Sequence, residues 1–274
     1  MSEPLLALDE ATEALHPPCV VVTLNEDACF LYPQVEPYWS PDVATGTYEP
    51  EIDWVLRRAV TRPYAMLDAG ANYGFWSILA SSAPYGRHPT IAIEPAKANY
   101  DWLVRNANAN GGRFQTLRRA VLDQSGRQVK LYGKKHYGLS LRPDWHPDDA
   151  DQHEEVETIT LDEVAGKYIT SGGHPSFVKL DIEGMEIEGF EGARQLIDAG
   201  TLIVYEDHGK EPSHRISQYV LSRDDIDVWH IGPDQFPTPI TTVEQVAAIK
   251  VDPMHGYNFF AIRPSSPWSS LFEA

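Results

Sequence analysis

A short buried strand that runs into a glycine-bearing turn and then into a helix constrains this chain more than any other feature. Residues Ala65–Asp68 are apolar until the closing acid, the turn carries Gly70 and Gly74, and a helix begins at Phe75. Glycine adopts φ values that side chains resist and lets the backbone approach a ligand closely. Amides at a helix N-terminus point at whatever carboxylate or phosphate lies above them. The helix is expected to run from Phe75 to Ala83, ended by Pro84 and Gly86. The alternation then repeats: Thr90–Glu94 reads as a strand, Ala96–Asn108 as a helix stopping at Asn110-Gly-Gly112, and Phe114–Val121 as a third strand. Phe177–Asp181 and Leu202–Glu206 read as core strands around a helix over Met185–Ala199, with Val228–Ile231 and Asn258–Ile262 as a closing pair. This pattern predicts an α/β fold with a mostly parallel sheet covered by helices on both faces. Ligands in such sheets sit at the carboxyl ends of the strands, where strand order reverses.

The remaining segments are less regular. Residues 1–16 read as a helical or frayed leader, and Cys19–Leu24 and Ala28–Tyr32 as a hairpin across Asn25–Asp27. Pro33–Pro50 is rich in proline and aromatics, as expected of an ordered loop wrapping the core, and Glu51–Thr61 has the spacing of an amphipathic helix. A β-rich stretch is expected around Val129–Tyr132 and Gly138–Leu141, followed by a mobile acidic loop over Asp144–Glu155. We therefore divide the chain into an N-terminal extension and capping loop, 1–50, and a main domain, 51–274.

Forty acidic against 22 basic residues give a net charge of −18, which repels phosphate backbones and anionic lipid heads, so neither nucleic acid nor a membrane surface is an expected partner. The longest basic run, Arg118-Arg119, is too short to reverse this. Cys19 and Cys29 fit no zinc pattern and no disulfide framework, which points to a reducing compartment. Met1–Glu10 lacks a basic leader and no apolar run approaches a membrane span, so the expected location is cytoplasmic.

The turn after Asp68 offers G-x-x-x-G with Asn72 inside, not the G-x-G-x-x-G of a dinucleotide site. Its helix start suits the carboxylate of a methionine moiety. The next strand ends in Glu94, where an acidic side chain can accept ribose hydroxyl protons. Ala120, between Arg119 and Val121 at the end of the third strand, is placed by topology against the base. Together Asp68, Gly70, Asn72, Gly74 and Glu94 read as a nucleoside site.

Here the chain resembles the FkbM-type methyltransferases. The matching residues are Tyr48-Glu-Pro50, Leu67–Gly74, Glu94-Pro95, Asn106, Asn110, Arg119–Val121, Gly138-Leu-Ser140, Thr160-Leu-Asp162, Phe177–Glu186 and Glu191-Gly-Ala193. The resemblance implies a class I methyltransferase fold, Rossmann-like, with seven strands of which the last is antiparallel. It implies S-adenosylmethionine as donor, leaving as S-adenosylhomocysteine, with Glu49, Pro95 and Asp181 added to the donor site. It also implies a hydroxyl acceptor on a small molecule such as a sugar, a glycan or a secondary metabolite. Residues 1–46 and the acidic loop depart from the family pattern, and both bear on acceptor choice.

Methyl transfer to an alcohol needs alignment and a base within hydrogen-bond reach. Lys179, Asp181 and Glu183 fall on one strand face by the period of two, and three ionisable groups there must pair or serve a site. A Lys179–Asp181 ion pair holding the strand end is the plainer alternative. Glu206-Asp207-His208 closes the next strand at the same edge, and His208 has the ordinary pKa of a base near neutrality. The candidate catalytic residues are therefore Asp181 or His208 as base, Glu183 and Glu206 as positioning groups, and Lys179. An oxygen-rich magnesium site at this edge is conceivable but has no tight ligand spacing, and His146 and His153 read as part of a solvated lid. Tyr38, Trp39, Tyr73, Trp76 and Tyr137 are candidates for stacking on an acceptor, with core burial the expected fate of Trp76. A nicotinamide oxidoreductase and a non-catalytic nucleoside-binding scaffold are the competing readings.

Overall fold

The strand order of the main sheet decides the architecture. In the computed structural model, which describes residues 18–35, 43, 48–133, 138–145, 153–169 and 176–273, the leading hairpin is β1 (Cys19–Asn25) and β2 (Ala28–Pro33), followed by helix α1 (Pro50–Arg58). Next come β3 (Met66–Ala69), α2 (Phe75–Ala80), β4 (Thr90–Ile93), α3 (Lys97–Ala109), β5 (Gln115–Leu117), β6 (Ala120–Val121) and β7 (Gln128–Tyr132). The chain continues through β8 (His153–Ile159), α4 (Leu161–Tyr168), β9 (Phe177–Leu180), α5 (Glu186–Glu191), α6 (Arg194–Asp198) and β10 (Leu202–Glu206). It closes with α7 (Arg215–Leu221), β11 (Asp227–Ile231), β12 (Pro237–Ile240), α8 (Val243–Ile249) and β13 (Asn258–Ile262).

Eight strands form the sheet in the order β12-β11-β13-β10-β9-β3-β4-β5. The run β10-β9-β3-β4-β5 is parallel, and β13 inserts antiparallel between β10 and β11. Seven strands thus have the class I methyltransferase arrangement, and β12 extends the β11 edge as an eighth. The chain fills one side through β3, β4 and β5, then returns to the other through β9 and β10. Order therefore reverses between β3 and β9, and a crevice opens above their carboxyl ends. The central strands are apolar at nearly every position because helices cover both faces. Asp68 inside β3 and Lys179 inside β9, 1% and 4% exposed, are the conspicuous exceptions.

Several boundaries differ from the sequence expectation for identifiable reasons. The helix α2 stops at Ala80, where the Ser81 and Ser82 hydroxyls donate to the Ile78 and Leu79 carbonyls and turn the chain early. Phe114–Val121 is not one strand: β5 ends at Leu117, and Ala120–Val121 pairs with β8 in a separate three-stranded sheet, β6-β8-β7. The expected acidic loop loses His153–Glu155 to β8, which pairs with β7.

Met185–Ala199 is two helices broken at Gly192. A Cβ there would lie 2.3 Å from the Leu122 carbonyl oxygen. The second helix has its own cap from a distance, since the Asp162 carboxylate accepts the Gln195 and Leu196 amides. The leader at 1–16, the stacking candidates Tyr38, Trp39 and Tyr137, and His146 lie outside the described residues.

The hairpin β1–β2 is stitched to α3 by side chains acting as a strand. Asn106 accepts the Leu31 amide and donates to the Leu31 carbonyl, and Asn110 does the same with Cys29. Phe30 and Tyr32 then enter the core beside Phe75. Cys19 and Cys29 are both free thiols.

Candidate active site

A cavity of about 820 Å³ opens above the carboxyl ends of β3, β4, β9 and β10. Among the expected site residues, Glu49, Asp68, Gly70, Asn72, Glu94, Pro95, Ala120, Lys179, Asp181, Glu183, Glu206 and His208 line it. Gly74 is absent from the lining. It ends the turn with φ +89° at the N-cap of α2, where a Cβ would meet Leu103 at 2.5 Å.

One side is a glycine-turn wall. Gly70 has φ +79°, and a Cβ there would overlap the Asp181 carbonyl oxygen at 1.7 Å, so only glycine lets β3 and β9 close at this point. Asp68 is 1% exposed: Oδ2 accepts the Ser77 hydroxyl, and Oδ1 is buried without a hydrogen-bond partner. Burial pushes its pKa up, against the pull of Lys179. Asn72 in the left-handed region (φ 51°) brings its amide to Glu94 Oε2 at 2.9 Å. Glu94 Oε1 takes the Ala96 amide and the Asn99 side chain, so three of roughly four acceptor sites on this carboxylate are used. Burial raises its pKa to about 7.

The opposite side is a carboxylate wall. The strand β9 ends at Leu180, so Asp181–Gly184 is a turn rather than the strand expected, yet Lys179, Asp181 and Glu183 all still reach the cavity. Lys179 Nζ holds Asp181 Oδ2 at 2.7 Å. Burial opposes the Lys179 charge, but Asp181, Glu49 and Asp68 outweigh it and hold its pKa above the ordinary value.

The turn is fastened on every side. Glu186 Oε1 accepts the Ile182 and Gly184 amides, Ser140 donates to the Glu183 carbonyl, and Arg215 donates to the Gly184 carbonyl. This holds Glu183 at φ 56°, a conformation costly for a residue with a Cβ. Burial raises Glu183 to about 7, with Asp181 adding to the shift, while Trp145 Nε1 and the Gly138 amide donate to it. Glu186 is pushed to about 8 by burial.

From β10 come Glu206 and His208. Burial, then the charges of Asp181, Glu183 and Glu186, push Glu206 well above the ordinary carboxylate range. His208 is lowered to about 4 by burial, with Lys210 adding to the shift. Its Nδ1 accepts the Lys210 amide at 3.0 Å, so the neutral ring carries its proton on Nε2 and faces a partner as a donor. In that arrangement the ring offers a proton at Nε2 and leaves no free nitrogen lone pair for an acceptor proton. Asp207 turns away and pairs with the fully buried Lys250 at 2.5 Å, while Ser217 donates to its other oxygen.

Sequence reasoning missed Glu51, Lys210, His255 and Asn258. His255 comes from the segment that leads into β13, and Asn258 is the first residue of that strand. Asn258 Nδ2 donates to both Glu49 and Glu51, and burial, with Glu49, raises the Glu51 pKa. Lys210, two residues beyond His208, was the one with a local signal. Trp76 is buried as expected and donates from Nε1 to Glu49 Oε2 at 2.6 Å. Tyr73 is buried against Trp102 and is not a stacking surface. His153 is exposed on β8, and among the described residues no group of three or more His, Cys, Asp or Glu is placed to hold a metal ion. No helix among them is long and apolar enough to cross a membrane.

A family model described as the methyltransferase FkbM domain matches residues 68–225, which begin at Asp68 and take in both walls. The chain belongs to the FkbM methyltransferase family. The hexuronic acid methyltransferase AglP of Haloferax volcanii is 24% identical over 208 residues, covering 73% of this chain and 79% of that protein. Among solved structures, the methyltransferase FkbM of Methylobacillus flagellatus KT is 17% identical with a TM-score of 0.41, covering 73% of this methyltransferase and 43% of that chain. The O-methyltransferase from Bacillus cereus in complex with SAH is 10% identical with a TM-score of 0.43, covering 78% and 80% of the two chains.

Proposed function

We propose that this methyltransferase uses S-adenosylmethionine to methylate a hydroxyl of a sugar, glycan or secondary metabolite. The observation that carries the donor half is the glycine-turn wall. It offers the buried Asp68 Oδ1 without a partner and a remaining acceptor site on Glu94, which suit the polar groups of an aminoacyl nucleoside. The acceptor class draws support from the hexuronic acid methyltransferase relative, whose named substrate is a sugar acid.

When bound, S-adenosylmethionine supplies a methyl group on a cationic sulfur and leaves as S-adenosylhomocysteine. Glu94 would take a ribose hydroxyl, and Asp68 and the amides after Gly70 would hold the amino-acid end. Ala120 and Pro95 would flank the adenine, and Glu49 fixes Trp76 at the floor. At the carboxylate wall the acceptor oxygen loses its proton to Glu183, whose pKa of about 7 suits a base at neutral pH. Asp181, tied to Lys179, orients the acceptor, and the His208 Nε2–H donates to it.

Isothermal titration with S-adenosylmethionine, S-adenosylhomocysteine and NAD tests the donor site. Saturable binding of the two sulfur nucleosides alone, weakened in Glu94→Ala, is expected. Binding of NAD alone would move the protein to nicotinamide chemistry, and no binding of any would favour a scaffold.

A further inference from the structure

Resting on the methyltransferase reading above, we infer that Glu206 sets acceptor choice, favouring an amine-bearing polyol such as an amino sugar over an acceptor carrying a carboxylate or phosphate. The charges facing the acceptor side of the cavity do not cancel. Asp181 is matched by Lys179 at 2.7 Å. Glu183 and Glu206 then share Lys210, whose ammonium is drawn over the Trp145 ring, 3.8 Å from its centroid. One carboxylate is left over. Glu49 and Glu51, which divide the two hydrogens of Asn258, only add to the negative surplus.

Glu206 is the least compensated of these groups, since it shares Lys210 with Glu183. It lines the cavity half-buried, and among the described residues its side chain has no hydrogen bond or ion pair. Other side chains of this wall are committed: Asp181 to Lys179, Glu183 to Trp145, Asp207 to Lys250. Gly256 packs against Glu206 so closely that a Cβ on the glycine would sit 1.6 Å from Oε1. An ammonium on the acceptor favours the ionised form of these crowded carboxyls and is held by it, a neutral polyol leaves them unchanged, and a carboxylate or phosphate adds one more like charge to them. This chain would then differ in acceptor charge from the hexuronic acid methyltransferase it resembles.

The test uses the full chain saturated with S-adenosylhomocysteine and three probes that differ in one group: the methyl glycosides of glucosamine, glucose and glucuronic acid. Ligand-observed NMR competition gives their relative affinities. The expected order is amine, then neutral, then acid, with the amine favoured over the acid by about tenfold or more. Glu206→Gln, of unchanged shape, should collapse that ratio towards one, and Lys210→Met should widen it. Unchanged S-adenosylhomocysteine affinity in both variants checks that they fold. Equal or stronger binding of the glucuronide overturns the inference, as does an unchanged ratio in Glu206→Gln or no binding of any probe to the loaded protein. Failure of S-adenosylhomocysteine itself to bind wild type would instead bring down the donor reading, and this inference with it.

Discussion

On one wall of the cavity, Asp68, Gly70, Asn72 and Glu94 come from two neighbouring strands and the turns that directly follow them. On the other, Glu183, Glu206, His208 and Lys210 come from two strand ends whose loops are held by residues far away in the chain. Ser140 and Arg215 pin the Glu183 turn, and Lys250 Nζ reaches both Asp207 and the Glu211 carbonyl. The first wall is local and made mainly of backbone. The second is assembled from distant segments and made of ionisable side chains. Strand–turn–helix geometry positions a donor in the same way whatever the acceptor, whereas a wall of separately braced loops can change its chemistry without disturbing the sheet.

That contrast can be broken first at Glu183. Glu183→Gln is expected to lower kcat by about 10²- to 10⁴-fold, with S-adenosylhomocysteine affinity kept, because the substitution touches only the carboxylate wall. The wild-type kcat should fall as pH drops below about 7, where this base becomes protonated, and near-normal turnover of the variant would return the base to Asp181.

The bracing of the second wall is exposed at Lys250. Removing it leaves the buried Asp207 unpaired, so Lys250→Met should lose about 3–5 kcal/mol of stability in chemical denaturation. A loss of a few tenths would mean that the loop relaxes enough to hydrate Asp207. A smaller effect is expected at Asp162, which caps α6 from another helix. Asp162→Ala should cost about 0.5–2 kcal/mol, read from the same denaturation curves, while an unchanged midpoint would show that the helix finds another cap.

The mildest test is pH alone. Glu94 and Glu183, at about 7, and Glu186, at about 8, are all raised above the ordinary carboxylate value of 4.5. The folded state therefore binds these protons more tightly than the unfolded chain. Their contribution is complete below about 4.5 and is lost as pH climbs through 7 to 8. Ligand-free protein should melt lower at pH 8 than at pH 6, and the opposite trend would mean that these carboxyls are solvated.

The sequence carried the glycine-turn wall almost whole. Gly70, Asn72 and Glu94 are readable because each acts through the backbone of its own turn, and turn chemistry is written within a few residues. It also carried the central strands, since a strand buried on both faces must be apolar throughout. It misjudged whatever depended on distant partners. The break at Gly192 follows from Leu122 and Asp162, and the separation of β6 from β5 follows from pairing with β8. His208 reads as a base in sequence, and only the fold shows its Nδ1 occupied by the Lys210 amide.

By itself, then, the sequence determined the α/β alternation, the family and the residues of the turn that follows β3. Periodicity and φ preference are local properties, and they survive without knowledge of the rest of the chain. The tertiary structure alone decided which ionisable groups are paired, which are buried and which way each one faces. A pKa or a proton position is set by everything within a few ångströms, and on the carboxylate wall most of that comes from elsewhere in the chain. Glu206, one more acid at a strand end in the sequence, becomes the least compensated carboxyl of the cavity only when Lys179, Lys210 and Gly256 take their places around it.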